Sequence, residues 1–172
     1  RVSLVGSEMC IRDSNGLERI CRRVADLGWH LQLLGDISSL HEIIPTFAHL
    51  PVPVVFDHFG HIAAKKGIND PGFIAMFRLL GEGRAWVKLS GAYRLGATDG
   101  GHGEAVNRLA TALVAANPDH LVWGSDWPHP AIGGPMPNDG DVMDDLARWV
   151  PGPPLRERIL VKNPSRLYGF DD

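Results

Sequence analysis

Leu121-Val122-Trp123-Gly124-Ser125-Asp126-Trp127-Pro128-His129-Pro130 carries the fold in miniature. Three consecutive apolar residues are too few for a helix. Without alternation they read as a strand buried on both faces, the signature of a parallel sheet. Gly-Ser-Asp follows at once, so a carboxylate stands where a buried strand opens into its loop. The same composition recurs upstream. Val54-Val55-Phe56 runs into Asp57-His58-Phe59-Gly60-His61, and Trp86 to Leu89 runs into Ser90-Gly91. Trp29 to Leu34 alternates and reads as a fourth short strand containing Gln32.

Helical spacing fills the gaps. Asn15 is a candidate cap for Leu17, Ile20, Cys21, Val24 and Leu27, with Gly28 as the stop. Ser38 or Ser39 opens a helix carrying Leu40, Ile43, Ile44 and Phe47, ended by Pro51 and Pro53. Asn69 or Asp70 with Pro71 starts a third through Phe73, Ile74, Phe77 and Leu80. Glu104 to Ala116 is the fourth, broken by Asn117-Pro118. After a Pro/Gly-rich loop over 133–140 come helices at 141–149 and 155–161, and Asn163-Pro164 opens a last turn ending near Phe170.

Strands alternating with helices make a parallel α/β protein. Two closures fit the alternation: an open doubly wound sheet or a barrel. No GxGxxG follows a strand and no GxxxxGK[ST] occurs, so a nucleotide-binding doubly wound fold lacks its signature. Polar residues recur at or just past strand ends instead: Gln32, His58, Ser90 and Asp126. A (β/α)8 barrel keeps its active site there, but it takes about 250 residues and eight strands. Four strands make half of one.

Composition narrows the function classes. The 172 residues are 44% hydrophobic and 22% charged, as in an ordinary globular domain. Lys and Arg number 17 against 20 Asp and Glu, a net of −3, which excludes a basic nucleic-acid surface. No apolar stretch approaches the roughly 18 residues of a membrane span. Two cysteines, Cys10 and Cys21, cannot build a disulfide framework, which points to a reducing, cytoplasmic setting. Oligomeric state is not legible.

Each strand-end ionisable group has a plain structural reading beside the functional one. His58 is a hydrogen-bonded core histidine or an acid–base or metal-binding group. Asp126 is a turn-initiating Asp or the base for an attacking water. Two such groups on strands of one sheet favour function. Asp57 alternates away from His58 and is expected to bond neighbouring backbone. The run Asp139, Asp141, Asp144, Asp145 reads as a solvated helix start, favoured by the helix dipole.

The blocks Trp29-His30-Leu31-Gln32, Asp57-His58-Phe59-Gly60, Lys88-Leu89-Ser90-Gly91, Gly124-Ser125-Asp126-Trp127-Pro128-His129 and Asn163-Pro164-Ser165-Arg166-Leu167-Tyr168-Gly169-Phe170 resemble the amidohydrolase-related metal-dependent hydrolases. The nearest branch holds 2-pyrone-4,6-dicarboxylate lactonase and sugar lactonases. The resemblance implies the C-terminal half or more of a distorted (β/α)8 TIM barrel over residues 15–172. It also implies hydrolysis of a lactone or related carbonyl substrate, a small molecule that can bear a carboxylate. A metal-dependent non-oxidative decarboxylase and an inactive fragment are the alternatives.

By the same resemblance Asp126 is the general base, and His58 polarises the carbonyl. If a metal is bound, His58 and Asp126 are its ligands. The family's H-x-H pair is absent from this chain, so one divalent ion (Zn or Mn) is implied for a full-length protein and none for this chain alone. Arg94 matches a position that holds an anionic substrate group. Tyr93, Gln32, His129 and Trp127 are further pocket candidates. Related lactonases often carry Arg after the DHFG block where this chain has His61, which weakens a dicarboxylate assignment.

Residues 1–14 read differently. The string VSLVGSEMCIRDS resembles the translated read-through of a sequencing adapter, so this segment is expected to be a non-native tail before a truncated barrel. Half a barrel should leave Val54, Val87 and Val122 short of packing. On that reading the chain alone would be molten or aggregated, and inactive.

Overall fold

The computed structural model describes residues 14–96, 103–130, 132 and 134–170. Except for Ser14, which begins the first helix, the adapter-like string with Cys10 lies outside them.

Strands β1 (Leu31–Leu33), β2 (Val54–Phe56), β3 (Ala85–Leu89) and β4 (Leu121–Trp123) form one parallel sheet in the order β1-β2-β3-β4. Leu33 pairs with Phe56, Phe56 with Val87, and Leu89 with Trp123. Helix α1 (Ser14–Ala25) precedes β1, and α2 (Ile37–Leu40), α3 (Pro71–Gly81) and α4 (Glu104–Ala116) lie between the strands. After β4 come α5 (Asp139–Trp149), α6 (Pro153–Glu157) and α7 (Asn163–Tyr168), with a π turn over Arg158–Lys162 joining the last two.

Local chemistry sets the boundaries. Asp70 caps α3 by accepting from the Gly72 and Phe73 amides, and Pro71 supplies the first helical residue. Asn138 caps α5 two residues earlier than the spacing suggests. The helix expected from Ser38 to Phe47 is two pieces. Asp36, not a serine, caps α2, and a separate 3-10 helix covers Ile44–His49. Pro45 has no amide to continue an α-helical ladder, so the chain restarts there. Leu27, expected on the buried face of α1, is exposed because that helix ends at Ala25.

The sheet has two different faces. Leu31, Leu33, Val54, Phe56, Ala85, Val87, Leu89 and Leu121 share the main core with apolar residues of α3 and α4. Val55, Trp86 and Val122 point the other way, into a small cluster closed by Leu167 of α7, with Tyr168 packed against it. Asn163 ties α7 down by donating to the carbonyls of Pro118 and Leu121. Val54, Val87 and Val122 are all fully buried. The expected packing deficit is therefore not seen: helices cover the first two, and α7 folds across the face that presents the third. Asp145, expected in a solvated run, is also buried and pairs with Arg148.

Candidate active site

The site lies at the C-terminal end of the sheet. Strand β2 ends in Phe56, so Asp57 and His58 emerge on adjacent residues. His58, Phe59 and His61 have φ of 45°, 56° and 52°, a left-handed run in which the chain turns sharply enough to place both imidazoles beside the sheet end. The His58 and His61 rings meet edge to face at 4.9 Å. His58 Nδ1 shares a 2.8 Å hydrogen bond with Ser90 Oγ from the end of β3. Its Nε2 stands 3.6 Å from Asp57 Oδ2 and 3.6 Å from Asp126 Oδ1. Those separations exceed hydrogen-bond length and leave His58 facing two carboxylates.

Asp126 reaches that point on a strained turn, with φ of 67°. Its Oδ2 accepts from Tyr93 Oη at 2.6 Å and from Arg94 Nε at 2.5 Å. Arg94 also donates through Nη2 to the Pro130 carbonyl at 2.8 Å. One oxygen of Asp126 is thus fixed by two donors, while Oδ1 faces His58.

Asp57 carries a second network. Its Oδ2 accepts from Gln32 Nε2 at 2.7 Å, and Lys88 Nζ pairs with its Oδ1 at 3.1 Å. Gln32, Asp57 and Lys88 come from β1, the end of β2 and β3. This corrects the expectation that Asp57 bonds only nearby backbone. The sequence held the signal: Val55 and Asp57 share one face of their strand, as do Trp86 and Lys88, and Val55 pairs with Trp86.

Electrostatics follow from this pairing. Burial alone would raise the Asp126 carboxyl, but the bonds from Arg94 and Tyr93 outweigh it and hold the pKa below the ordinary value. Burial drives His58 down further than Asp57 and Asp126 raise it, so the imidazole is neutral at pH 7. His61 is lowered by burial and by His58 beside it. Tyr93 is pushed up to about 12 by burial and by its bond to Asp126.

Of the sequence candidates, His58, Asp126, Tyr93, Arg94 and His61 come together, with Gln32 joined through Asp57. Arg94 and Tyr93 are bound to Asp126, and Gln32 is bound to Asp57; none of the three stands open to a substrate alone. Trp127 is 71% exposed beside the site. His129 is buried, with Nε2 3.1 Å from Asp139 Oδ1. Sequence reasoning placed it on the pocket wall, but its ring is turned inward toward the start of α5.

Among the described residues no group of three or more His, Cys, Asp or Glu is arranged to hold an ion. His58 and Asp126 would supply two ligands, where catalytic zinc sites offer three from the protein. The Arg94 cation on the same carboxylate opposes a second positive charge. These residues by themselves do not fit a metal centre.

Residues 10–170 match the amidohydrolase family. The chain belongs to that family. Among its relatives, a 4-sulfomuconolactone hydrolase of Hydrogenophaga intermedia is 35% identical over 159 residues, covering 91% of this chain and 52% of the relative. A 2-pyrone-4,6-dicarboxylate hydrolase of Comamonas testosteroni is 35% identical over 160 residues, covering 88% and 52%. The crystal structure of a probable 2-pyrone-4,6-dicarboxylic acid hydrolase from Acinetobacter baumannii, solved with citric acid bound, superposes with a TM-score of 0.83 at 28% identity. That match covers 98% of this chain and 64% of the other. This amidohydrolase chain therefore spans about half the length of the curated relatives it matches. Its four described strands form a segment of the (β/α)8 barrel, as the likeness to that amidohydrolase structure indicates. Among the described residues, no helix of this amidohydrolase is long and apolar enough to cross a membrane.

Proposed function

We propose that this chain carries part of the active site of a lactone hydrolase, with Asp126 as general base and His58 as the group that polarises the lactone carbonyl. The observation that carries the reading is the approach of Asp126 Oδ1 to His58 Nε2 at 3.6 Å, with Oδ2 clamped by Tyr93 and Arg94. A water bound at Oδ1 can lose its proton to that oxygen as its own oxygen bonds to the carbonyl carbon. When the ring C–O bond breaks, Asp126 returns the proton to the departing ring oxygen, and a hydroxy acid results. A neutral His58 suits this role, because it donates a hydrogen bond to the carbonyl without adding a charge that would tie up the base.

The names of the relatives support an acidic lactone as the substrate class, since both curated proteins are named for lactones bearing anionic groups. Arg94 would then share its guanidinium between Asp126 and an anionic substituent, with Trp127 and His61 lining the approach.

The test is hydrolysis of a panel of neutral and carboxylate-bearing lactones by the full-length protein that carries this segment, followed by pH-stat titration of released acid. Turnover of at least one lactone that is lost in Asp126→Asn is the expected result. A wild-type protein that opens none of them, or an Asp126→Asn variant as fast as wild type, overturns the proposal.

A further inference from the structure

We propose that His129, anchored on Asp139, is a positioning residue that pins the Asp126 loop to the start of α5; its consequence for turnover rests on the lactonase reading of Asp126. The loop after β4 is under strain at both ends of one tight turn. Asp126 and His129 have φ of 67° and 55°, a region that L-residues rarely adopt, and the His129 amide closes the turn by donating to the Asp126 carbonyl at 2.7 Å. Such a turn persists only where its surroundings hold it.

Arg94 holds one side by bridging the Asp126 carboxylate and the Pro130 carbonyl. The other side is held by His129. Its imidazole is fully buried, and its Nε2 is hydrogen-bonded to Asp139 Oδ1 at 3.1 Å. The ring also meets Tyr93 edge to face at 5.7 Å, and Tyr93 is itself a donor to Asp126. Nδ1 of His129 is buried without a hydrogen-bond partner. An apolar side chain of similar size would avoid that desolvation penalty, so packing alone does not account for a histidine here. The bond to Asp139 does. It links the loop to an eleven-residue helix whose Trp149 is buried in the core. Because the imidazole is fully buried, with Nε2 on Asp139, it acts through the loop and not on the substrate.

Three variants of the 172-residue chain separate this role from packing: His129→Gln keeps a donor, His129→Leu keeps bulk without one, and Asp139→Ala removes the acceptor. Amide hydrogen exchange at Gly124, Ser125, Asp126, Trp127 and His129 reads the latch whether or not a substrate is known. Exchange is expected to rise ~10-fold in His129→Leu and Asp139→Ala, to stay near wild type in His129→Gln, and to be unchanged in β2 and β3. Where a lactone is turned over, kcat should fall ~10-fold in the first two variants with KM little altered, since a displaced base weakens only the transition state. Protection in His129→Leu equal to that in His129→Gln, or an Asp139→Ala variant indistinguishable from wild type, overturns the latch. A wild type that hydrolyses no lactone while the exchange pattern holds counts against the lactonase reading alone.

Discussion

Gly91 lies so close to His58 that a β-carbon added to it would stand 2.8 Å from His58 Nδ1. The same atom would be 3.1 Å from Asp126 Oδ2, and the residue has φ of +59°. The two site groups can converge only because nothing projects between them from the end of β3.

Gly91→Ala therefore carries two penalties. The left-handed backbone costs a residue with a β-carbon about 1–2 kcal/mol, and His58 must also give way. Urea unfolding should show a loss of at least that size. Turnover should fall further than stability alone explains, because the Ser90–His58 bond is displaced.

Tyr93→Phe and Arg94→Met each remove one of the two donors on Asp126 Oδ2. A hydrogen bond to a charged group is worth roughly 1.5–3 kcal/mol, so kcat should drop by about one to two orders of magnitude. Arg94→Met should also raise KM for an acidic lactone more than for a neutral one, whereas Tyr93→Phe should not distinguish them. Steady-state kinetics on a matched pair of substrates reads both effects.

Lys88→Met strands the Asp57 carboxylate in the interior with Gln32 as its remaining donor. Breaking a buried pair from one side costs about 3–5 kcal/mol. Adding Asp57→Asn removes the orphaned charge, so the double variant should be more stable than Lys88→Met alone. A double-mutant cycle by thermal or urea unfolding measures the coupling; additive losses would mean that the pair contributes nothing as a unit.

Acid should destabilise the protein in two stages. His58, His61 and His120 all have folded pKa values lowered chiefly by burial. The unfolded chain then binds more protons, so stability rises with pH across this range and is lost as pH falls below about 6.5. Asp36 and Asp126 are also lowered, by hydrogen bonds and neighbouring cations that outweigh burial. Their contribution is present above about pH 4 and lost as pH falls through their folded values. Tm measured from pH 8 to 5.5 should decline before Asp36 and Asp126 titrate.

Strand positions and the sheet's parallel sense were legible because short apolar runs ending in polar residues have few other readings. His58 and Asp126 stood out for the same reason. Asp57 and Lys88 did not, since each lies next to a more conspicuous neighbour, and pairing register, not composition, puts them on one face with Gln32. His129 shows the opposite failure. Its place beside Asp126 in the sequence suggested a pocket wall, but the turn between them rotates its ring toward α5. The coverage of Val55, Trp86 and Val122 by Leu167 depends on a contact between distant parts of the chain, which no local pattern encodes.

That last contact bears on how the protein is made. Each strand after β1 pairs with the one synthesised just before it, so the sheet can assemble in step with emergence from the ribosome. Among the described residues, the apolar cover of the face that presents Val55, Trp86 and Val122 comes from Leu167, near the end of the chain. Leu167 leaves the ribosome long after these residues, and until it docks a nascent chain displays an oily surface to whatever is nearby. Chaperone dependence and co-translational aggregation should therefore be governed by the final helix, and Leu167→Ser should lower soluble yield more than an equally buried substitution early in the chain.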